Sequence, residues 1–304
     1  MTRVSLRQLE YFRAIAETGS LSAAAEERHV SRSTIASALD ELERALASQL
    51  CVRYKSHGVE LTEAGRSVLN TAIGILGEVD DLESIGSERA LAGELVIGCY
   101  TSLAPTILPR LLKRYSLEHP GVRTSIIVET ADVLDEQLRS GQLDLMISYN
   151  PHLDPTLAYE RLFETRMHVI LPAGHRLADH SSVAPSELVD EPLVLMMTPP
   201  SPSQVLGYFG HLGLRPHVRF RVTHFELARS LVAEGLGYSL FIQRPKSNFT
   251  YGGLPLVTLP LDPAPPVQLV AAVWPRARRL NAKSREFVRV AAGEIDNISP
   301  ESLY

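Results

Sequence analysis

The chain has 304 residues, enough for two or three compact domains, and its hydrophobic fraction of 45% and charged fraction of 21% are typical of a soluble globular protein. No apolar run approaches the roughly 20 residues that a membrane-spanning helix needs, and no signal-peptide core follows Met1, so we expect a cytoplasmic protein without a membrane partner. Cys51 and Cys99 give no disulfide or zinc pattern, and the net charge of −5 means that any DNA contact must come from a local basic surface.

The first 90 residues predict a helical region that differs in composition from the rest of the chain. They contain none of the 20 prolines, and because proline interrupts helices, this shift places a domain boundary near Leu91-Ala92-Gly93. Residues 1–60 carry eight basic and eight acidic side chains, and residues 61–92 carry two and six. Neither segment is therefore basic on average.

The first three predicted helices have the spacing of a helix-turn-helix. A helix from Leu6 to Ala16 stops at Thr18-Gly19-Ser20, and a short alanine-rich helix follows over Leu21 to Arg28. Ser31 then stands at the N-cap of an amphipathic helix whose apolar positions are Ile35, Leu39, Leu42 and Leu46. Small residues let two helices cross closely, so that the second helix presents its N-terminus outward. The spacing alone leaves open an ordinary three-helix bundle with a solvated polar face.

The polar face of the third helix carries groups that suit nucleic acid. Arg32 can donate two hydrogen bonds to guanine O6 and N7, and hydroxyl groups can reach base edges or phosphates. We therefore predict a DNA-contacting set in this helix that consists of Ser31, Arg32, Ser33, Thr34 and Ser37.

A short hairpin is predicted over Val52 to Leu61, turning at His57-Gly58. Its basic side chains, Arg53, Lys55 and His57, would lie along the DNA backbone or minor groove as a wing beside the third helix. The alternative for Arg53 is a structural salt bridge.

The next predicted helix, with Thr62 as its N-cap, carries a heptad of apolar side chains. The members of this seam are Val68, Ala72, Ile75, Val79 and Leu82. Such a seam needs a partner helix, and a helix between two domains has little else to pack on, so we predict dimerisation. Packing of the seam inside its own chain is the alternative.

After Gly93 the predicted strands and helices alternate, which indicates parallel sheets flanked by helices. The predicted strands are Leu95–Cys99, Val122–Val128, Leu143–Ile147, His168–Leu171, Pro192–Met196, Val218–Val222, Tyr238–Ile242 and Leu269–Val273. The predicted helices are Ala104–Tyr115, Ala131–Ser140, Ser203–Leu212, Phe225–Glu234 and Asn281–Ala292. This length suits two small α/β lobes better than one.

Five segments give the chain a resemblance to the LysR-type transcriptional regulators. In the helical half they are Leu9 to Phe12 with Gly19 to Ala25, Val30-Ser31 with Leu39 to Glu43, and Arg53 with Gly58 to Gly65. In the second half they are Leu138 to Leu145 and Val232 to Tyr238. Their order and distances agree with the family along essentially the whole chain. Arg32-Ser33 stand where many members have Gln-Pro, so the family's base preference is not carried over.

The resemblance implies an α+β multidomain protein. Residues 1–60 would form a winged helix-turn-helix, 61–91 a dimerising linker helix, and 92–304 a two-lobed α/β effector domain like a periplasmic binding protein. Lobe I would comprise about 92–161 and 269–304, and lobe II about 162–268. Such a protein binds double-stranded promoter DNA as a homodimer or homotetramer, needs no cofactor or metal, and binds a small-molecule effector between its lobes.

Family position and the rule that ligands bind beyond the carboxyl ends of strands together indicate the effector residues. Hydroxyls at a helix start would suit a carboxylate or another polar metabolite. The expected set is Tyr100, Thr101, Ser102, Thr130, Ser148, Tyr149, Thr198, Ser201, Ser203, Thr223 and His224. For Tyr149 and His224 the alternative is capping or packing.

Two other functions compete with a DNA-binding regulator. A solute-binding protein with an N-terminal oligomerisation bundle is disfavoured by the missing signal peptide and by the helix-turn-helix with its wing. An enzyme domain fused to a DNA reader is disfavoured because no nucleophile elbow, zinc-protease, phosphate-loop or dinucleotide motif occurs. We therefore expect no catalytic residues.

Overall fold

The computed structural model describes residues 4–54, 58–84, 91–150 and 153–294, with the side chains at 80, 81, 83 and 84 left out. By its contacts the chain divides into two compact units. Unit 1 contains Met1–Tyr100, Pro109–Glu160 and Ala271–Gly293, and unit 2 is built mainly from Thr101–Leu108 and Arg161–Val270. Each unit is therefore assembled from segments that are distant in the sequence.

Unit 1 begins with three helices, α1 (Leu6–Thr18), α2 (Leu21–Glu27) and α3 (Arg32–Leu46). A serine caps each of them, because the side chains of Ser5, Ser20 and Ser31 accept hydrogen bonds from backbone N–H groups in the first turn. Their apolar faces, which include Phe12 and Ile35 at 0% exposure, form a shared core. The caps predicted at Ser20 and Ser31 are confirmed.

A hairpin and a long helix follow the bundle. Strands β1 (Cys51–Tyr54) and β2 (Gly58–Leu61) pair antiparallel, with Arg53 opposite Val59. Helix α4 (Glu63–Ser84) begins after Thr62, whose Oγ1 accepts a hydrogen bond of 2.9 Å from the Gly65 backbone N–H. Thr62 is thus the N-cap that the sequence predicted.

The rest of unit 1 is mainly a five-stranded sheet in the order β4-β3-β5-β12-β6 with helices beside it, and residues 104–108, 161–165 and 268–270 of these elements belong to unit 2. Strand β3 pairs parallel with both β4 and β5. The strands are β3 (Gly93–Tyr100), β4 (Val122–Glu129), β5 (Leu145–Tyr149), β6 (Leu157–Thr165) and β12 (Gln268–Pro275). The helices are α5 (Ala104–Glu118), α6 (Ala131–Ser140) and α9 (Ala282–Gly293).

Unit 2 holds two smaller sheets. Strand β7 (His168–Pro172) pairs antiparallel with β10 (Ser239–Phe241) and β11 (Leu256–Pro260). Strands β8 (Pro192–Met196) and β9 (His217–Val222) pair parallel. Helices α7 (Ser201–His211) and α8 (Phe225–Ala233) and a 3₁₀ turn at Pro185–Glu187 complete the unit. The parallel pair places the ends of β8 and β9 at one edge.

The structure departs from the predicted elements at strands β5, β6 and β11, and several other boundaries differ by one to three residues. The strand predicted at Leu143–Ile147 begins at Leu145, because the backbone N–H groups of Gln142 and Leu143 still bond to the Gln137 carbonyl at the end of α6. Strands β6 and β11 were not predicted. Part of β6 is exposed and charged, and proline both precedes and ends β11, so neither gives a clear strand pattern.

The predicted seam of α4 is partly wrong. Ala72, at 1% exposure, packs inside unit 1 with Leu69, Ile73 and Leu76, so the buried face of α4 is turned from the predicted one. Val68 and Val79 are half-buried, and Ile75 and Leu82 are exposed. Ile75 and Leu82 thus form an exposed apolar strip on α4. This strip lies on the side that the prediction assigned to a partner helix.

No helix among the residues that the structure describes combines the length and the apolar character needed to cross a bilayer.

Candidate functional site

The start of α3 is an exposed cluster of hydrogen-bonding groups. Ser31 Oγ accepts from the Thr34 backbone N–H at 3.1 Å and lies 2.7 Å from Ser33 Oγ and 2.8 Å from Thr34 Oγ1. Ser31 therefore holds the first turn together. Arg32 and Ser37 are exposed beside these hydroxyls. The five residues predicted in this helix thus form one continuous surface at a helix N-terminus, where backbone N–H groups favour an anion.

A recess between α1 and α3 extends this surface. It encloses about 560 Å³ and is lined by Ser5, Arg7, Gln8, Tyr11, Ser33, Thr34, Ser37, Ala38 and Glu41. Arg7 lies against Tyr11, since its Nε donates a hydrogen bond of 2.7 Å to the Tyr11 Oη and its guanidinium is 5.4 Å from the ring centroid. The α1 residues of this set were not predicted, although the basic side chain of Arg7 in the first turn of α1 could have indicated them.

The structure describes only one of the three predicted wing residues, Arg53. Arg53 forms a salt bridge with Asp40 of α3, between Nη2 and Oδ1, and both side chains are about half exposed. The structure thus gives Arg53 the salt-bridge role that the sequence left as its alternative. Lys55 and His57 lie outside the described residues.

A buried guanidinium links helix α4 to the sheet part of unit 1 through hydrogen bonds. Arg278 is 4% exposed and donates to the carbonyls of Leu143 and Leu138 at 2.8 and 2.9 Å. It also donates to Asn70 Oδ1 of α4 at 3.2 Å. Burial lowers the pKa of Arg278 to about 10. Because the cation is held by neutral oxygens here, removing any of them would leave a buried charge less well solvated.

The turn from Gly141 to Leu143 is the other side of this junction. Gly141 has φ 82°, and a Cβ there would lie 2.5 Å from Ile73 Cδ1 of α4. Only glycine suits both the backbone conformation and this close approach. Gln142 Nε2 donates a hydrogen bond of 2.8 Å to the carbonyl of Glu17 in α1. The family-like segment Leu138 to Leu145 therefore contacts both the linker helix and the helix-turn-helix bundle.

Four of the predicted effector residues lie in unit 1, at the carboxyl ends of adjacent parallel strands. Tyr100 ends β3, Thr130 follows β4, and Ser148 and Tyr149 end β5. The Tyr100 and Tyr149 rings meet edge to face, with centroids 5.5 Å apart. Thr130 is the N-cap of α6, and its hydroxyl lowers the pKa of Asp132 through a hydrogen bond. Unit 1 therefore brings these four residues to one edge of its sheet.

The other seven lie in unit 2. Thr101 and Ser102 occupy the turn that precedes α5, which itself begins at Ala104. The other five, Thr198, Ser201, Ser203, Thr223 and His224, follow β8 and β9.

The ends of β8 and β9 are tied together by a hydrogen bond. Thr198 Oγ1 donates to the Thr223 carbonyl at 3.0 Å. His224 is the N-cap residue of α8, but its side chain makes no capping hydrogen bond. The five residues therefore share one edge of unit 2.

Cys51 and Cys99 are free and buried. Burial raises the pKa of the Cys51 thiol to about 12, and it also raises the pKa of Cys99. Since the thiolate is the reactive form, both side chains act as apolar packing groups.

An exposed helix start beside a two-stranded wing, followed by α/β units with polar strand ends, defines a winged helix-turn-helix protein with a ligand-binding domain. Comparison with known families agrees. The bacterial regulatory helix-turn-helix protein family of the LysR type matches residues 6–66, and the LysR substrate binding domain matches residues 88–295. The chain therefore belongs to the LysR family, and it is a DNA-binding transcriptional regulator with an effector-binding domain.

Similar proteins match along nearly the full length. The Hca operon transcriptional activator HcaR of Escherichia coli is 26% identical over 97% of this chain and 100% of that protein. The crystal structure of HinK, a LysR family transcriptional regulator from Pseudomonas aeruginosa, is 31% identical. It covers 97% of this chain and 100% of its own, with a TM-score of 0.64. The regulators of this family bind promoter DNA and small-molecule effectors and form oligomers.

Proposed function

We propose that this regulator reads promoter DNA in the cytoplasm through the first turn of α3, and that a polar effector bound in its C-terminal domain controls that contact. The observation that supports the DNA part is the exposed cluster around Arg32, where a guanidinium, three hydroxyls and helix N–H groups share one surface. Arg32 reads a guanine edge, while the hydroxyls and helix N–H groups position the backbone phosphates.

The effector part rests on the strand ends. Hydroxyl groups collect at the carboxyl ends of β3, β4 and β5 in unit 1 and of β8 and β9 in unit 2. Such edges are the usual ligand sites of open α/β sheets. Hydroxyl donors and helix N-termini suit a carboxylate or another polar acceptor. The ligand is therefore a small carboxylate or polar metabolite.

The junction at Arg278 offers a route from the effector domain to the DNA-reading helices. It joins α6 and the turn after it to α4, and Gln142 extends the contact to α1. An effector can act on DNA binding only if it has different affinities for two arrangements of the protein. The two arrangements would differ by a shift of this packed junction.

The DNA part is tested with two arginines of the same helix. Arg32→Ala removes the proposed base reader, while Arg44→Ala removes the same charge about 18 Å further along α3. Both side chains are exposed. Fluorescence anisotropy is measured on the DNA upstream of the protein's own coding sequence and on a scrambled copy of it.

Arg32→Ala should weaken binding to the upstream DNA by about 1–3 kcal/mol and reduce the preference over the scrambled copy. Arg44→Ala should leave that preference unchanged. Equal preference in wild type and Arg32→Ala would contradict the proposed role of Arg32.

A further inference from the structure

Unit 2 contains a pocket whose lining includes only one of the predicted effector residues, Ser203. It encloses about 470 Å³ and lies between α7 and the segment from Pro263 to Gln268. Its lining residues are Met167, Ser203, Gln204, Gly207, Tyr208, His211, Leu212, Ile242, Pro263, Ala264, Pro265, Pro266 and Gln268. The size falls within the range of small-molecule sites, which is roughly 300–1,000 Å³.

The lining is largely apolar and contains no lysine, arginine, aspartate or glutamate. Two of its polar groups are already paired, since Tyr208 Oη donates to the Pro263 carbonyl and His211 Nδ1 lies 2.6 Å from the Gly207 carbonyl. A charged ligand would lose water here without gaining an opposite charge among the lining residues. The lining therefore selects against ions.

Polar recognition in this pocket is concentrated on a pair of glutamines. Gln204 Nε2 donates to Gln268 Oε1 at 3.1 Å, and both side chains are half-buried. An amide side chain has two donor sites and two acceptor lone pairs, and this bond uses one donor site of Gln204. The amide oxygen and nitrogen of Gln204 can together pair with a ligand that both donates and accepts.

We propose that this pocket is a second ligand site, which shares only Ser203 with the polar strand ends, and that it binds a compact, uncharged, mainly apolar molecule carrying a carboxamide-like group. The apolar part lies among Met167, Ile242 and the prolines, and the polar group pairs with Gln204. This ligand would therefore belong to a different chemical class from the proposed carboxylate effector. All of the pocket's lining residues belong to unit 2, and a change at Gly207 tests this site without altering any residue of the proposed carboxylate set.

Two glycines of α7 provide a matched test. A Cβ at Gly207 or at Gly210 would meet nothing within 4 Å, so a side chain can begin at either position in open space. Both changes replace a glycine of α7 by a better helix former. Only Gly207 lines the pocket, so Gly207→Leu fills it and Gly210→Leu leaves it open.

Saturation-transfer NMR on the full chain measures binding of cyclohexanecarboxamide and of its charged counterpart, cyclohexanecarboxylate. For a ligand of this size we expect a Kd of about a millimolar with wild type. Gly207→Leu should weaken binding of the amide at least about tenfold, a change worth 1.4 kcal/mol, while Gly210→Leu should not. The carboxylate should not compete for the site.

The proposal is overturned if wild type gives no saturation transfer with the amide, or if Gly207→Leu binds it as wild type does. Equal binding of amide and carboxylate would overturn the assignment of an uncharged ligand. Light scattering on the same samples checks for a different occupant. If Gly207→Leu changes the oligomeric mass and Gly210→Leu does not, the pocket holds part of a second copy and the small-molecule proposal is wrong.

Discussion

His168, at the start of β7, is a fully enclosed imidazole that the fold keeps neutral. It is 3% exposed, and its Nε2 has no hydrogen-bond partner among the described residues. Burial, with a smaller effect from Arg244, lowers the pKa of His168 to about 3. In the unfolded chain an imidazole has a pKa near 6.5. As the pH falls below that value, the unfolded chain takes up a proton that the folded chain does not.

We predict from this that His168 makes the folded state less stable in acid. Its contribution is fully present above about pH 6.5 and is lost as the pH falls toward 3; between pH 7 and pH 5 the loss is about 2 kcal/mol. Urea unfolding at both pH values should show a smaller acid loss for His168→Gln than for wild type. The control His217→Gln changes an exposed histidine and should keep the wild-type loss. Identical acid losses in His168→Gln and wild type would show that His168 is not the source.

Helix α4 shows what sequence periodicity can and cannot predict. Its start at Thr62 and its helical character follow from local signals, and both are confirmed. Its apolar residues, however, fall on two neighbouring faces, and periodicity does not say which one is covered by the same chain. The buried face with Leu69, Ile73 and Leu76 is settled by contacts with α1 and α6, which are distant in sequence.

The same distinction applies to the candidate sites. The cluster at the start of α3 depends on consecutive residues and could be predicted from the sequence. The α1 side of its recess, the Arg53 salt bridge and the Arg278 junction each join residues far apart in the chain. Spacing within one segment carries no information about such pairings. For Arg53 the sequence therefore left both a DNA contact and a salt bridge open.

The exposed strip of α4 yields a prediction about assembly. If a second copy covers Ile75, then Ile75→Asp places an unpaired carboxylate in that interface, which costs about 3–5 kcal/mol and should reduce the oligomer to smaller species. Because Ile75 is 39% exposed in a single chain, the change should leave the fold intact by circular dichroism. Light scattering measures the mass.

Ser67→Asp introduces the same charge at an exposed position of α4, about 12 Å before Ile75 along the helix, and serves as the control. It should keep the wild-type mass. An unchanged mass for Ile75→Asp at the same protein concentration would place the interface elsewhere.

At the scale of the whole molecule, one chain carries two kinds of recognition on separate elements. The proposed DNA-contacting set belongs to α3, whereas the polar strand ends belong to the C-terminal sheets, and the Arg278 junction connects α4 to the sheet of unit 1. A change at one site should therefore remove its own ligand and spare the other. Ser102→Ala and Arg32→Ala test this separation, because each variant changes only one of the two sites.

The most direct test of that claim is the rise in Tm that small carboxylates cause in wild type, Ser102→Ala and Arg32→Ala, since a ligand that binds only the folded state stabilises it. We predict a rise in wild type and in Arg32→Ala. In Ser102→Ala the rise should be reduced by the loss of a hydrogen bond worth about 0.5–3 kcal/mol, while binding to the upstream DNA stays at the wild-type level. This separation of the two sites would be contradicted if no carboxylate raised the Tm of wild type, if Ser102→Ala responded like wild type, or if Ser102→Ala lost ligand-free DNA binding.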